Sequence, residues 1–382
     1  MRIFLFIFFV CFNANTALGN IPAFTKIDSS FSKVSSGNCG SEKGACEIKN
    51  MPRVASQDGL GICYAYVAAT MMQTENCRVL KQVCATLSED QLFSPIDLTR
   101  LSRPKDGSKP SNIKASYNGL RLESNSSGND LSGDPHDTVM IAALLTQETG
   151  SEACVSLDKI LSKMNEKGAT QKTQAAMWER LKNHYNSYRS KLGCDSCLSQ
   201  IYATAVDDIN ENLNLKSSNQ DLLKAFAQDT YEKFLDELLG ASKCSETGQL
   251  AFFEGASKVT YEMFPEPGDK DPKKLKESVT PTQFKNKVKE VLKTGRPLSL
   301  GNICVGPEPA ANCRPQNHHA IVIAGYREIC NEGGKCRDAF KVINSWGKSW
   351  QDENDGGWVD ADSLIEHTKM QPYILGWFAD KK

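Results

Sequence analysis

Three short segments, one near the start of the chain and two near its end, restrict its folding more than anything else in it. They read Gln57-Asp58-Gly59-Leu60-Gly61-Ile62-Cys63-Tyr64-Ala65-Tyr66, Asn317-His318-His319-Ala320 and Asn344-Ser345-Trp346-Gly347. The first offers a thiol and an amide, the second an imidazole, the third another amide. A thiol becomes a strong nucleophile when an imidazole takes its proton. The imidazole serves better when a hydrogen bond to its far nitrogen fixes the tautomer. If these residues form one site, the C-terminal third must fold back onto the residues around Cys63. Alone, each segment has an ordinary reading: a buried or cystine-bound cysteine, a solvated histidine, a turn. Their conjunction in this order carries the chemistry.

The chain has 382 residues, 40% hydrophobic and 24% charged. That is ordinary for a globular protein with a core, and leaves room for two modest domains or one with a large insertion. The net charge of -1 gives no footing for a nucleic acid or an anionic membrane. Residues 1–19 stand apart. Met1-Arg2 precedes the apolar run Ile3 to Phe12, and small and polar residues lead to Ala17-Leu18-Gly19. This is the pattern of a secretory signal peptide, with a retained anchor or a buried strand as the alternatives. Cleavage would leave a chain with no membrane segment, secreted to an extracellular or periplasmic space.

Fourteen cysteines fit that reading. Setting aside Cys11 in the signal segment and Cys63 as a working thiol leaves an even number, as a disulfide framework of an exported protein requires. Cys304 with Cys313, and Cys330 with Cys336, are close enough to staple single loops. Cys194-Asp195-Ser196-Cys197 has the spacing of a redox or zinc motif. No second such pair follows and no βαβ pattern surrounds it, so two structural half-cystines is the simpler reading. Asn125-Ser126-Ser127 is a glycosylation sequon if the source is eukaryotic.

Along the chain, residues 20–50 are rich in Ser, Gly and Lys and read as a loop-rich lead-in. Residues 60–75 are apolar at helical spacing, with Gly61 just before the helix would begin. Residues 100–134 have loop composition, and Val139 to Leu145 after Pro135 reads as a helix opened by proline. Between 160 and 279, Met177, Leu181, Tyr185, Tyr188 and Leu192 recur at helical spacing, and so do Leu222, Leu223, Phe226, Phe234, Leu235 and Leu238. These stripes read as core-facing seams. Glu266 to Lys276 reads as an exposed linker. From Phe284 a helix is expected, ended by Gly295-Arg296-Pro297. Strands are expected at Leu298 to Ile303, Ala320 to Tyr326 and Ala339 to Ser345, with a turn at Glu332 to Lys335. The middle is mainly α, the C-terminal third mainly β.

At the start of a helix, unpaired N–H groups and partial positive charge favour a thiolate at Cys63. His319, at the mouth of a strand, is the candidate base. Asn344, ending the next strand, is the candidate orienter. Gln57 can place a side-chain N–H beside the backbone N–H of Cys63, two donors for an oxyanion.

Here the chain resembles the papain-like (C1 family) cysteine peptidases. Gln57 with Cys63-Tyr64-Ala65-Tyr66 is like the family's Q-x5-C-[WY]-A-F, and His319-Ala320-Ile321 like its H-A-[VIL]. Asn344-Ser345-Trp346-Gly347 with Trp350 and Gly357-Trp358 is like its N-S-W-G-x-x-W-G-x-x-G-[YW]. The resemblance implies Cys63 as nucleophile, His319 as general acid/base, Asn344 as orienter and Gln57 as oxyanion donor. It makes Trp346 a shield over the His–Asn bond and puts Trp350 on the leaving-group side. Ser132-Gly133-Asp134-Pro135 is similar to the family's G-G-x-P. Gly133 would then pair with substrate backbone, and Pro135 with Ala320 would line a substrate pocket; His136 lies close by. No cofactor and no metal is implied.

The likeness covers about residues 50–155 and 280–370, and the chain departs from the family in four ways. Leu60 and Asp130 stand where the family has a disulfide pair, so both halves of one bridge are missing together. His318 precedes His319, and since alternate strand residues point oppositely, only one can face the thiol; Ala320 selects His319. The stretch from Gly19 to Gln57 is short for a helical inhibitory propeptide. Residues 156–279 are an insertion.

The expected fold is α+β: a papain-like two-lobe arrangement with a large helical insertion. The division is 1–19 signal peptide, 20–155 arm and helical lobe with the nucleophile, 156–279 insertion, and 280–382 β-rich lobe with His319 and Asn344. The expected activity is hydrolysis of a peptide or protein substrate through a thioester. The alternatives are a non-catalytic binding protein on that scaffold or a Cys/His acyl transferase. The insertion would act as a lid or as the surface for a protein partner.

Overall fold

The computed structural model describes residues 24–36, 46–57, 62–88, 153–154, 172–213, 218–238, 249–250, 259–265, 279–306, 309–314, 317–369 and 375–381, with isolated positions between 91 and 98. Over these the protein is a mixed α+β structure built on an antiparallel sheet.

Two short strands come first, β1 (Lys33–Ser36) and β2 (Cys46–Glu47). Both pair with a later strand, so the lead-in is not the plain loop its composition predicts. Their residues are mixed and few, and only the partner's backbone makes them strands. Helix α1 (Cys63–Leu80) begins at Cys63 itself, as its spacing predicts. It is buried nearly all round from Tyr64 to Cys77, as a helix wedged inside a protein must be. It ends at Lys81 in the left-handed conformation, where Cys77 is bridged to Cys84.

Just before the span read as insertion lies β3 (Ala153–Cys154), which pairs with β4 (Gln249–Leu250), so the two ends of the helical segment meet. Between them run α2 (Lys172–Ser190), α3 (Asp195–Leu213), α4 (Asn219–Phe226) and α5 (Tyr231–Leu238). The second predicted stripe is two helices, broken between Phe226 and Tyr231. The helix α3 lies within the span expected to be helical, though no apolar stripe in the sequence marks it out. Tyr185, Phe226 and Phe234 pack ring on ring, and Leu181, Leu222 and Leu238 are buried with them, whereas Leu192 and Leu223, expected on the same core-facing seams, are exposed. Burying each such ring contributes roughly 1.5–3 kcal/mol. Cys194 and Cys197 are bridged to each other at the head of α3.

Next, β5 (Val259–Phe264) lies within the span read as insertion but joins the main sheet. Then follow α6 (Pro281–Leu292), β6 (Leu298–Cys304), β7 (His318–Cys330) and β8 (Cys336–Ile343). The chain closes with α7 (Gly347–Glu353), β9 (Trp358–Asp360), α8 (Ala361–Glu366) and β10 (Leu375–Asp380). Thr280 and Gln283 cap α6 reciprocally, with Pro281 at its first position. Gly295 then takes a positive φ of 78° where the helix was predicted to stop.

The sheet order is β5-β10-β6-β7-β8-β9, with β1 and β2 also on β7. Strand β7 is buried on both faces, and its residues divide by parity. Ala320, Val322 and Ala324 join one apolar cluster with α1 and the inserted helices. Ile321 and Ile323 join another with α6, α8 and Trp350. The sheet is thus covered on both sides. The loop bridges Cys304–Cys313 and Cys330–Cys336 are both formed, as spacing predicts. Among the described residues, no helix is long and apolar enough to cross a membrane.

Candidate active site

The site begins where residues 55–57 lie along residues 345–347. Ser56 and Trp346 form an antiparallel bridge. The Gln57 N–H donates to Ser345 O at 2.7 Å and the Gly347 N–H to Ala55 O at 3.1 Å. From the other side, Tyr66 on α1 donates its hydroxyl to Ser56 O at 2.8 Å. The Ser345 hydroxyl also donates to the Gln57 side-chain oxygen. That contact commits the oxygen of the amide and leaves its nitrogen as the donating end. Gly347 sits at φ 85° with Ser56 Cβ 3.4 Å from where its own Cβ would be, so a side chain there would be strained.

Asn344 follows the last residue of β8 and is 1% exposed. Its Oδ1 lies 2.8 Å from Nε2 of His319, which stands second in β7. An amide oxygen can only accept, so Nε2 carries the proton and Nδ1 is left with the lone pair. The ring of Trp346 stacks on that imidazole, 4.6 Å between centroids and 25° between planes. His319 is 5% exposed whereas His318 is exposed, the opposite pointing expected of neighbours on a strand. Burial pushes the His319 imidazole down to about 4, against a weaker upward pull from Asn344. His318 is lowered too, by burial first and then by the charge of Lys369, while a hydrogen bond at Cys313 acts in the opposite direction.

Cys63 is the first residue of α1, half-buried and outside any disulfide. Its backbone N–H belongs to the first helical turn and has no carbonyl within the helix to bond. The helix packs against β7, and Cys63 borders the apolar cluster that contains Ala320, Val322 and Ala324, the alternate residues of that strand. Gln57, His319, Asn344 and Trp346 are therefore gathered by direct contacts, and Cys63 heads the helix laid on the same strand. Trp350 is 5% exposed and stands edge-on behind Trp346, centroids 6.0 Å apart. Gly133 and Pro135 lie outside the described residues, as do His136, Leu60 and Asp130.

Two residues were missed as members of this site. Ser345 was read only as part of a motif, and its hold on Gln57 becomes visible when residues 55–57 are seen beside it. Phe24 lies 6.0 Å from His319, 5.0 Å from Trp346 and 5.3 Å from Trp350 between ring centroids. Nothing local in the sequence marks it out. Elsewhere, Glu328, Cys330 and Cys336 cluster closely, but both sulfurs are committed to their bridge and are not available to a metal.

No known family model and no curated protein sequence matches this chain.

Proposed function

We propose that this protein is an exported cysteine peptidase of papain-like, two-lobe design, cleaving peptide bonds through a thioester on Cys63. The observation that carries the reading is the buried pair His319 Nε2 to Asn344 Oδ1, 2.8 Å, under the stacked ring of Trp346. Any buried imidazole needs a partner for its N–H; this one, with Asn344 fixing the proton on Nε2, leaves Nδ1 as the basic nitrogen, the tautomer a general base requires.

In this reading Nδ1 of His319 takes the Cys63 proton and the sulfur attacks the substrate carbonyl carbon. Negative charge on the carbonyl oxygen is met by the Cys63 backbone N–H and the Gln57 side-chain amide, each worth a few kcal/mol in the transition state. His319 then passes its proton to the leaving amine. Water, deprotonated by the same nitrogen, releases the acid and regenerates the thiol. Asn344 and Trp346 hold the imidazole throughout. The bridges Cys77–Cys84, Cys194–Cys197, Cys304–Cys313 and Cys330–Cys336 support an oxidising compartment. No cofactor is required.

The test is cleavage-site mapping on a peptide library with the exported chain and its Cys63→Ala variant. We expect hydrolysis by the parent and a fall of at least about 10⁴-fold in the variant, which stays folded. Undiminished cleavage by folded Cys63→Ala would end the proposal. Products joined to an added amine, in place of hydrolysis, would point instead to an acyl transferase.

A further inference from the structure

The segment from Phe24 to Phe31 runs beside β9 and buries a ring at each end, Phe24 and Phe31. It is tied down without help from Phe24. The Asp360 N–H donates to Thr25 O at 3.1 Å, the Thr25 and Ser363 hydroxyls meet at 2.7 Å, and Lys26 bridges to Val359. At its far end Phe31 packs with Ile329, Ala339 and Trp358. Phe24, just before the first of these ties, is only 6% exposed and joins the cluster of Trp350, Val359 and Ile321. Its ring stands edge-on to His319 (79°), Trp346 (71°) and Trp350 (76°). Trp346 thus stacks on the face of the imidazole while Phe24 meets it at right angles, so two rings from opposite ends of the chain fix its tilt.

We propose that Phe24 is a positioning residue for His319, and that residues 24–31 form a strap that keeps the His319–Asn344 pair dry and aligned. The inference deepens the peptidase reading and rests on it for its effect on turnover, though not for its effect on the imidazole. Edge-to-face contacts of this kind set ring geometry beyond simple area burial. A small rotation of a catalytic base is enough to slow proton transfer.

The groups around His319 make its titration a clean reporter. Phe24, Trp346 and Asn344 are uncharged, and Ile303 opposes it on β6. The shift at His319 is set by burial first and by the Asn344 hydrogen bond second, while the charge of Lys369 acts on His318, its neighbour on β7.

The experiment has two arms. In the Cys63→Ala background, the His319 ring is followed by NMR against pH, with and without Phe24→Leu. We expect Phe24→Leu to move the midpoint upward toward the ordinary histidine value, because water reaches the ring, and Phe24→Tyr to move it much less. With Cys63 intact, we expect Phe24→Leu to lower kcat about tenfold with KM nearly unchanged. An imidazole midpoint and a kcat both unmoved in folded Phe24→Leu would overturn the proposal. So would a loss of thermal stability that moves neither. If the parent shows no hydrolysis the peptidase reading fails, and the NMR arm alone still decides whether Phe24 holds the ring.

Discussion

At the scale of single residues, the imidazole of His319 is the group most altered by the fold. Its ordinary value is 6.5 and burial takes it to about 4 in the folded chain. The unfolded chain therefore binds this proton first as the pH falls. The stability it confers is complete above pH 6.5 and is lost as the pH drops toward 4, by on the order of 3 kcal/mol. In the Cys63→Ala background, where no sulfur charge intervenes, thermal melts should weaken between those pH values. His319→Gln should flatten that slope, and equal slopes would contradict a neutral buried ring. Some of this was legible in the sequence. Strand alternation and Ala320 single out His319 over His318, and burial agrees. The contact of Ser345 with Gln57 and the placement of Phe24 were not legible, because each joins residues from opposite ends of the chain.

At the scale of elements, the strongly patterned segments emerge where the sequence puts them. Helix α1, helix α6 and strands β6 to β8 follow apolar periodicity, caps and a turn that are all local. The strands β1, β2 and β5 do not, since they owe their form to hydrogen bonds with β7 and β10. The inner geometry of the α7–β9 turn is equally invisible locally. Gln351 donates its amide to Val342 O at 2.6 Å and to Gly356 O at 2.8 Å, and so ties α7 to β8. Gly357 makes room for it at φ 98°, where a Cβ would lie 1.9 Å from Gln351 Nε2 and 2.2 Å from Val342 O. We expect Gly357→Ala to destabilise the protein by about 2 kcal/mol or more through this strain. Turnover should fall as well, because α7 carries Trp350 and follows Trp346. Unchanged melting of Gly357→Ala would show that the turn relaxes freely.

At the scale of the whole molecule, the question is what keeps the helix with Cys63 in place on the sheet with His319. Apolar packing of α1 on β6 and β7 is one part. A second is an ion cluster at the far end of the helix. Glu75 is 2% exposed and binds Arg296, itself 4% exposed, at the entry to β6. Arg78 also holds Glu75, and Asp380 at the end of β10 caps Arg296 from the solvent side. Removing one member strands a buried charge, so Arg296→Met should destabilise by about 3 kcal/mol or more. Glu75→Met combined with it should recover much of that loss, and strict additivity in thermal melts would argue against a coupled pair.

The central claim is that an imidazole from one end of the chain activates a sulfur from the other. The rate at which iodoacetamide alkylates Cys63, followed by mass spectrometry against pH, tests it most directly. The account predicts rapid alkylation well below pH 8.5, the ordinary thiol range, and a return to that range in His319→Ala. A Cys63 that reacts only above pH 8, and equally fast with or without His319, would contradict it.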